Sequence, residues 1–287
     1  MKIKIDPAKT KTADLHQYLL GSVAPRPIAF VSTVDKEGNA NLAPYSFFNA
    51  FSSNPPMLVF SSNRKVADNT TKDTLHNVRE TDEVVINVVN HAILRQMALS
   101  SVSYESGVSE FEKSGLTPVP SDLVKPFRVK ESPVNMECVV KDVITLGYEG
   151  GAGHLIICEV VRMHVSEDVL DENKKIDPHK IDLMGRMGRA FYTRASGDSI
   201  MKVFQPVGEI PIGYDKLPEH IKNSNILSAN DIARLAGLAA WPTDEKIKAW
   251  KDANGELKGK DEKGKMKLAK EWIGVDQVEE AFILLVC

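Results

Sequence analysis

Hydroxyl and amide side chains are concentrated between residues 25 and 74, beside short apolar segments. Arg26, Arg64 and Lys72 add positive charge here, and Thr74 stands where a helix is predicted to begin, so that unpaired backbone N–H groups favour an anion. Such a set can surround a phosphate and can offer donors and acceptors to a planar heterocycle. The same residue types also form turns, and composition alone leaves both interpretations open. The polar residues are Ser32, Thr33, Asn41, Ser46, Asn49, Ser52, Ser53, Asn54, Ser61, Ser62 and Asn63.

Other catalytic signatures are missing from the sequence. It contains no GxSxG elbow, no Walker A segment and no HExxH pair, and its seven histidines show no metal-ligand spacing. The glycines between Gly147 and Gly153 do not follow GxGxxG and are flanked by strand-like segments, so they predict a hairpin turn. Cys138 and Cys158 lie in apolar strand patterns and are interpreted as small core residues, and His154 as a structural histidine. We therefore predict no catalytic side chain and no metal site.

Short strands must position the polar residues. The apolar, β-branched segment 27–34 is followed by a turn cluster, so a hairpin is predicted with a return strand over 41–46. Pro44 in that return strand cannot donate to a ladder, which indicates a bulge or a sheet edge. Further elements are predicted as strands over 56–62 and 84–89, the second buried on both faces, and as helices over 73–79 and 92–99.

The β pattern resumes after a polar stretch at 100–114. Strands are predicted over 127–130, 135–146 and 154–165, and the glycine-rich turn joins the last two. Many short strands separated by turn clusters, with helices that do not alternate regularly, favour an antiparallel barrel over a parallel βαβ sheet. The sequence therefore predicts a mainly β domain with inserted helices.

The composition is that of a globular chain long enough for one large domain or two ordinary ones. The 287 residues are 43% hydrophobic and 26% charged, and 36 basic against 39 acidic side chains give a formal net charge of −3. This balance provides no electrostatic argument for a nucleic acid or a membrane as partner. No apolar run reaches the length of a membrane span, the first ten residues lack the apolar core of a signal peptide, and the three cysteines have no CxxC spacing. A cytoplasmic protein without disulfides is expected.

The composition shifts where the β pattern ends, which divides the chain into a domain over 1–200 and a C-terminal helical extension over 201–287. Within the extension, Ser228 opens a helix with the hydroxyl-to-acid spacing of a capping box. Residues 246–270 contain nine lysines and four acidic residues, a net charge of +5. We interpret this segment as a solvated surface rather than a nucleic-acid-binding tail. The apolar end at 281–286 is expected to pack on the barrel or across a dimer.

Four ordered motifs and a later fifth carry a resemblance to a known family. They read Pro25-Arg-Pro-Ile-Ala-Phe-Val-Ser-Thr33, Asn41-Leu-Ala-Pro-Tyr-Ser-Phe-Phe48, Asn54-Pro-Pro-Met-Leu-Val-Phe60, Lys72-Asp-Thr-Leu75 and Gly185-Arg-Met-Gly-Arg-Ala-Phe-Tyr192. Over residues 15–195 the chain resembles the flavin reductase-like family of FMN-binding split-barrel proteins, which includes flavoredoxins. In the fifth motif Arg189 stands where the family pattern has the second glycine of a Gly-Gly pair.

The resemblance implies a six-stranded antiparallel split barrel, usually a homodimer, that holds FMN non-covalently near the dimer interface. Ser32 and Thr33 would approach the isoalloxazine, and residues 43–46 would run along it. Phe191 or Tyr192 would close over the ring. The positions that the resemblance assigns to FMN are Arg26, Ser32, Thr33, Tyr45, Ser46, Asn49, Ser61, Ser62, Arg64, Lys72, Thr74 and Tyr192.

The implied activity is hydride transfer from NAD(P)H to flavin, because flavins accept hydride and the protein binds and orients them. Reduced flavin would pass its electrons to free flavin, to iron, to an oxygenase or to another electron-acceptor protein. One alternative is an FMN-containing electron-transfer protein that a partner reduces instead of NAD(P)H. A second alternative is a barrel that has lost its flavin and serves as a binding module.

Overall fold

The computed structural model divides the chain into two compact units, Met1–Met201 and Lys202–Cys287, and each is described by itself. It describes residues 1–102, 104–105, 107–203, 208 and 210–287, apart from the side chains of residues 256 and 258. No helix in these described ranges is long and apolar enough to cross a membrane.

The first unit is built from strands and short helices. Its strands are β1 (Ala29–Val34), β2 (Ala40–Tyr45), β3 (Phe48–Ser53), β4 (Pro56–Asn63), β5 (Glu83–Val88), β6 (Pro118–Val119), β7 (Arg128–Val129), β8 (Val134–Thr145), β9 (Gly153–Val165), β10 (Met184–Arg186) and β11 (Tyr192–Arg194). Its helices are α1 (Thr12–Ser22), α2 (Asp73–Thr81), α3 (Leu94–Leu99), α4 (Glu110–Ser114) and α5 (Pro178–Ile181).

One antiparallel sheet of seven strands, in the order β2-β1-β5-β8-β9-β4-β3, forms the body of this unit. Its edge strands, β2 and β3, are consecutive in the chain, and only Ser46 and Phe47 separate them. The three Cα–Cα steps from Tyr45 to Phe48 span at most about 11 Å, whereas a flat sheet of this size would be about 29 Å wide. The sheet must therefore curl until its two edge strands come close at this link, which makes it a barrel, and these two strands do not pair with each other among the described residues.

Side chains alternate between two apolar clusters along the strands, as a closed sheet requires. In β1, Ala29 and Val31 belong to the cluster that includes Phe60 and Ile156, whereas Phe30 belongs to a second cluster with Met97. The first cluster also contains Leu75 and Val78, so α2 packs against it. Burial of both sets of β1 side chains explains why this strand is an uninterrupted apolar run.

The predicted hairpins and barrel are confirmed, with differences at the sheet edge. Pro44 lies in the edge strand β2, where a missing N–H donor is tolerated. The predicted helix at 92–99 begins as a 3-10 turn, His91–Ile93, before α3. The resemblance implied six strands, whereas this sheet has a seventh, β3, whose residues are mostly exposed and carry no alternating pattern.

Buried Glu137 on β8 connects the sheet to the loop that precedes β7. Its carboxylate accepts hydrogen bonds from the backbone N–H groups of Asp122 (2.9 Å) and Leu123 (2.6 Å) and contacts His164 Nε2 at 2.6 Å. Burial opposes ionisation, but these hydrogen bonds hold the pKa of Glu137 below its usual range. Asp122, Glu137 and His164 could surround a cation. Their ligand atoms are already paired with one another, with backbone N–H groups and with Arg162, so the cluster is explained as a structural contact that holds the loop before β7 against β8 and β9.

The second unit has a core of its own. Its helices are α6 (Glu219–Lys222), α7 (Ala229–Ala236), α8 (Asp244–Ala253), α9 (Glu262–Gly274) and α10 (Val278–Val286). The predicted capping box is present, since Ser228 and Asp231 exchange hydrogen bonds at the start of α7. Phe282 and Leu284 of α10 are buried in one cluster with Leu235 and Ile273, so the apolar end serves this unit's own core. Its predicted packing on the barrel stays a prediction.

Candidate functional site

A buried network of hydroxyl and amide groups joins the first hairpin to the start of α2. Thr33 Oγ1 on β1 accepts hydrogen bonds from Asn77 Nδ2 (3.0 Å) and Asn41 Nδ2 (3.1 Å). The Asn41 amide also donates to Thr74 Oγ1 at 2.9 Å. Thr33 and Thr74 are fully buried. These hydroxyls therefore hold the first turn of α2 against the barrel, which sets the direction of that turn's free N–H groups.

Tyr45, at the end of β2, lies beside this network. Its ring contacts that of Phe60 with centroids 5.2 Å apart, and Lys72 Nζ lies 4.8 Å from the Tyr45 ring centroid. Burial raises the pKa of Tyr45 to about 12, although the nearby hydroxyls of Thr74 and Ser62 lower it. Among the described residues none forms a hydrogen bond of normal geometry with the Tyr45 hydroxyl. This phenol is a neutral, available donor.

Lys72 immediately precedes α2 and brings positive charge to the same place. No carboxylate in the described ranges pairs with it within 4.0 Å. Burial lowers the pKa of Lys72, and the charge of Lys65 adds to that effect, while Glu110 opposes it. The helix start has no side-chain cap. An ammonium group and the open N-terminus of a nine-residue helix bring positive charge to this corner, although the helix has Asp73 in its first turn.

Ser61 and Ser62 occupy the end of β4 and point to opposite sides of the sheet. Ser61 Oγ contacts Asn63 Oδ1 at 2.7 Å, whereas buried Ser62 Oγ has no partner in the described part of the chain. Ser62 stands opposite His154 in the β4–β9 register, and His154 Nδ1 is 3.0 Å from Thr145 Oγ1. Burial, with the charges of Arg79 and Arg64, lowers the pKa of His154, so the ring is neutral near pH 7. The structure thus places His154 in the barrel wall, where its Nδ1 has a hydrogen-bond partner and its buried Nε2 has none among the described residues.

Arg26 has a different surrounding from the one that a phosphate ligand would need. Its guanidinium donates to the carbonyls of Val23 (2.6 Å), Leu20 (2.7 Å) and Met187 (3.1 Å) and to Ser46 Oγ (3.3 Å). Only 4% of its surface is exposed. Burial and the charge of Arg186 lower the pKa of Arg26. Arg26 therefore joins α1, the β2–β3 link and the β10–β11 hairpin.

Tyr45, Ser62, Lys72 and Thr74 form what we call the Tyr45 corner, and the remaining predicted positions have contacts of their own. Arg64 donates to the Asn69 side chain and carbonyl at 2.6 Å, which closes its own loop. Asn49 is exposed on β3, and its side-chain oxygen accepts a hydrogen bond from the backbone N–H of Ala50. Ser32 is fully buried without a partner among the described residues. Tyr192 lies on β11, where Arg186 stacks on its ring at 4.5 Å.

Two residues that were not predicted as site residues, Asn77 and Glu110, hold the elements of the site in place. Asn77 lies three positions after Thr74, on the same face of α2, and this spacing could have identified it. Glu110 on α4 accepts a hydrogen bond from Leu42 N at 3.0 Å and so satisfies the outer edge of β2. Burial raises the pKa of Glu110. Its position follows from tertiary contact alone, because 68 residues separate it from Leu42.

The first of the solved structures similar to this chain is nitrilotriacetate monooxygenase component B from Bacillus cereus. It is 32% identical with a TM-score of 0.65, and the match covers 71% of this chain and 98% of that one. The 2-nitrobenzoate 2-nitroreductase of Pseudomonas fluorescens is 27% identical with a TM-score of 0.65, covering 74% and 100%. A flavin reductase-type structure with a split barrel domain from Shewanella frigidimarina, 24% identical with a TM-score of 0.59, covers 69% and 95% and supports the fold.

The similarity of sequence extends over the barrel. The description "Flavin reductase like domain" belongs to the family whose pattern matches residues 20–184, which include β1 to β9 and the whole Tyr45 corner. The barrel, the similar solved structures and this match indicate a flavin-related redox function. This chain belongs to the flavin reductase-like family of split-barrel proteins.

Proposed function

We propose that this protein binds FMN non-covalently and reduces it with NAD(P)H. The observation that carries the proposal is the Tyr45 corner, where cationic Lys72 has no carboxylate partner in the described ranges and the N-terminus of α2 has no side-chain cap. Two hydroxyls there, of Tyr45 and Ser62, are buried without partners among the described residues. Such donors fit a phosphate ester, which supplies both negative charge and acceptor oxygens.

Each group in this corner has a separate role in holding the cofactor. Lys72 and the first N–H groups of α2 attract the phosphate, and the hydroxyl of Ser62 donates a hydrogen bond to it or to the ribityl chain. Ser61 lies on the opposite face of β4 and donates to Asn63. Tyr45 stays protonated because burial raises its pKa to about 12, so it brings no negative charge next to the phosphate. The Thr33–Asn41–Thr74 network keeps the helix start in place. When bound, FMN supplies the N5 position that accepts a hydride.

The nicotinamide donor is part of the proposal and needs no catalytic side chain of the protein. Hydride transfer between two stacked rings depends on their distance and orientation. The named function of one relative, 2-nitrobenzoate 2-nitroreductase, is a reduction, which supports an oxidoreductase here. Another relative is named as one component of a monooxygenase, which supports a separate acceptor for the electrons.

The test is the visible spectrum of the purified protein, recorded without oxygen before and after NADH or NADPH. We expect a flavin spectrum that bleaches with the nucleotide. A flavin spectrum that bleaches only with dithionite would support the electron-transfer alternative, and a protein that takes up no FMN would refute both.

Two lysine variants distinguish a loss of FMN contacts from a general effect of removing a positive charge. Lys72→Met removes the ammonium but keeps the length of the side chain, so the Kd for FMN should rise about tenfold or more. Lys36→Met, in the exposed turn after β1, is the matched control and should keep wild-type affinity. Equal FMN affinity in Lys72→Met and the wild type would place the phosphate elsewhere.

We also propose that the active form is a homodimer in the cytoplasm. The edge strand β3 is largely exposed, and 68% of the Phe51 side chain is accessible to solvent, which supports a surface that a second copy covers. Burial raises the pKa of the thiols of Cys138 and Cys158, so both are unreactive, in keeping with a reducing compartment. Light scattering of the wild type and Phe51→Asp tests the dimer, and two equal monomeric masses would contradict it.

A further inference from the structure

The β10–β11 hairpin concentrates positive charge, of which only that of Arg194 is paired with a carboxylate, Asp182, among the described residues. Arg186 forms a cross-strand pair with Tyr192 and stacks on its ring, and Arg189 lies exposed in the turn between them. Arg186 also pairs through its backbone with Arg26, close enough for its charge to lower the pKa of that guanidinium. In the described part of the chain, no carboxylate lies within 4.0 Å of these three arginines. The charges of Arg26 and Arg186 repel each other, and an anion bound beside Arg186 would relieve that repulsion.

The turn of this hairpin is held rigidly against α1. A Cβ at Gly188 would lie 3.3 Å from Gly21 Cα and 3.6 Å from the carbonyl of Leu20, so the two backbones are in direct contact. Arg26 Nη2 donates to the carbonyl of Met187 at 3.1 Å and adds a second fixed point. The next residue, Arg189, has a φ of +56°, a conformation that favours glycine. The chain therefore keeps a long cationic side chain where the backbone disfavours it, and such strain indicates a function.

An aromatic surface accompanies the charge. Phe191, which follows Arg189 closely in the same turn, exposes 66% of its side chain. Arginines together with an exposed ring suit a phosphate monoester attached to a planar base, because guanidinium groups bind phosphate in pairs of hydrogen bonds and aromatic rings stack on purines. No hydrogen bond to another described residue restrains the Arg189 side chain.

We propose that this hairpin binds the 2′-phosphate and the adenine of NADPH, with Arg189 as the residue that distinguishes NADPH from NADH. The proposal rests on the proposed function, since it concerns the nucleotide that would deliver the hydride. The position of the hairpin is consistent with this role. Arg26 donates hydrogen bonds both to Met187 in the hairpin and to Ser46 in the β2–β3 link, and Ser46 is assigned to the flavin. The FMN phosphate is assigned to Lys72, so the hairpin is free for a second phosphate.

Binding of nucleotide fragments tests this proposal without any turnover. Adenosine 2′,5′-bisphosphate and adenosine 5′-monophosphate differ only in the 2′-phosphate, and calorimetry of the FMN-loaded protein measures both. We expect the wild type to bind the bisphosphate at least tenfold more tightly, as one arginine–phosphate contact allows. Arg189→Gly should lose that preference while its thermal midpoint stays equal or rises, because glycine accepts this backbone conformation. Inorganic phosphate alone should bind far more weakly than the bisphosphate.

A matched variant and an independent activity measurement complete the test. Lys174→Gly also removes a cation from a position with positive φ (58°), in a turn outside the hairpin, and should keep the preference. Equal binding of the two nucleotides by the wild type, or a preference that survives in Arg189→Gly, would overturn the proposal. If NADH and NADPH bleach the flavin equally well, the proposed function stands and this inference is wrong. If neither nucleotide bleaches the flavin, the proposed function is wrong, and the fragment binding still decides the role of Arg189.

Discussion

The structural role of Arg26 provides a sharp prediction, because the sequence assigned this residue to the cofactor. Arg26→Met keeps a long apolar side chain and removes every donor. The change leaves the carbonyls of Leu20 and Val23, at the end of α1, without the guanidinium that now bonds them at 2.7 and 2.6 Å. It also releases Met187 in the β10–β11 hairpin and Ser46. We expect the first unit to lose stability.

The magnitude follows from the two short hydrogen bonds. A hydrogen bond from a charged donor contributes about 1.5–3 kcal/mol. The longer bonds to Ser46 and Met187 contribute less, and hydration of the freed carbonyl groups of α1 offsets part of the loss. We therefore expect the free energy of unfolding to fall by about 3–5 kcal/mol. For a unit of this size each kcal/mol lowers Tm by about 2–4 °C, which gives a shift of about 10 °C.

Thermal unfolding followed by circular dichroism, together with FMN titration at a temperature where the variant is folded, separates two roles of Arg26. The structure predicts a lower Tm with an FMN affinity changed less than tenfold. Arg95→Met, an exposed arginine on α3, is the matched control and should unfold like the wild type. An Arg26→Met protein with unchanged Tm but much weaker FMN binding would refute this reasoning and favour a phosphate ligand.

Three other residues carry predictions. Thr33→Val keeps the shape of the side chain but removes the acceptor of the Asn77 amide and one of the two acceptors of the Asn41 amide, so urea unfolding should show a loss of about 1–3 kcal/mol. Glu137→Gln should lower stability at pH 7 by a similar amount. Because hydrogen bonds depress the Glu137 pKa, that contribution is present above the unfolded-state value of 4.5 and fades as pH falls through the lower folded-state value, so the wild type and the variant should converge in acid. Tyr45, with a pKa of about 12 against 10.0 when unfolded, should ionise late in an absorbance titration at 295 nm, and its contribution to stability should fade as pH rises from 10 to 12.

Each of these predictions has a contradicting outcome. A Thr33→Val protein with wild-type urea stability would show that the amides find other partners. A constant difference between the wild type and Glu137→Gln from pH 7 to pH 4 would exclude an ionised carboxylate as the source. For Tyr45→Phe we expect the late-ionising component to disappear with little change in stability at pH 7, since the hydroxyl has no partner among the described residues. A large loss of stability would reveal a hydrogen bond.

Local patterns in the sequence were sufficient for much of the fold. The runs of β1, β4, β5, β8 and β9 are apolar and bounded by turns, and each strand lies where its pattern predicts. Pro44 identified the edge of the sheet, and Ser228 identified the start of α7, because both effects act within a few residues. β3 was missed because its exposed, polar residues carry no alternation.

The sequence alone determined the barrel class, the family and the polar character of residues 25–74, because these depend on residue type and short spacing. Tertiary structure decided which of those polar groups meet. It brought Tyr45, Ser62, Lys72 and Thr74 to one corner, yet surrounded Arg26 with carbonyls from segments up to 161 residues away. Whether a cation binds a ligand or the protein itself depends on which acceptors surround it, and only the packing of distant segments supplies those acceptors.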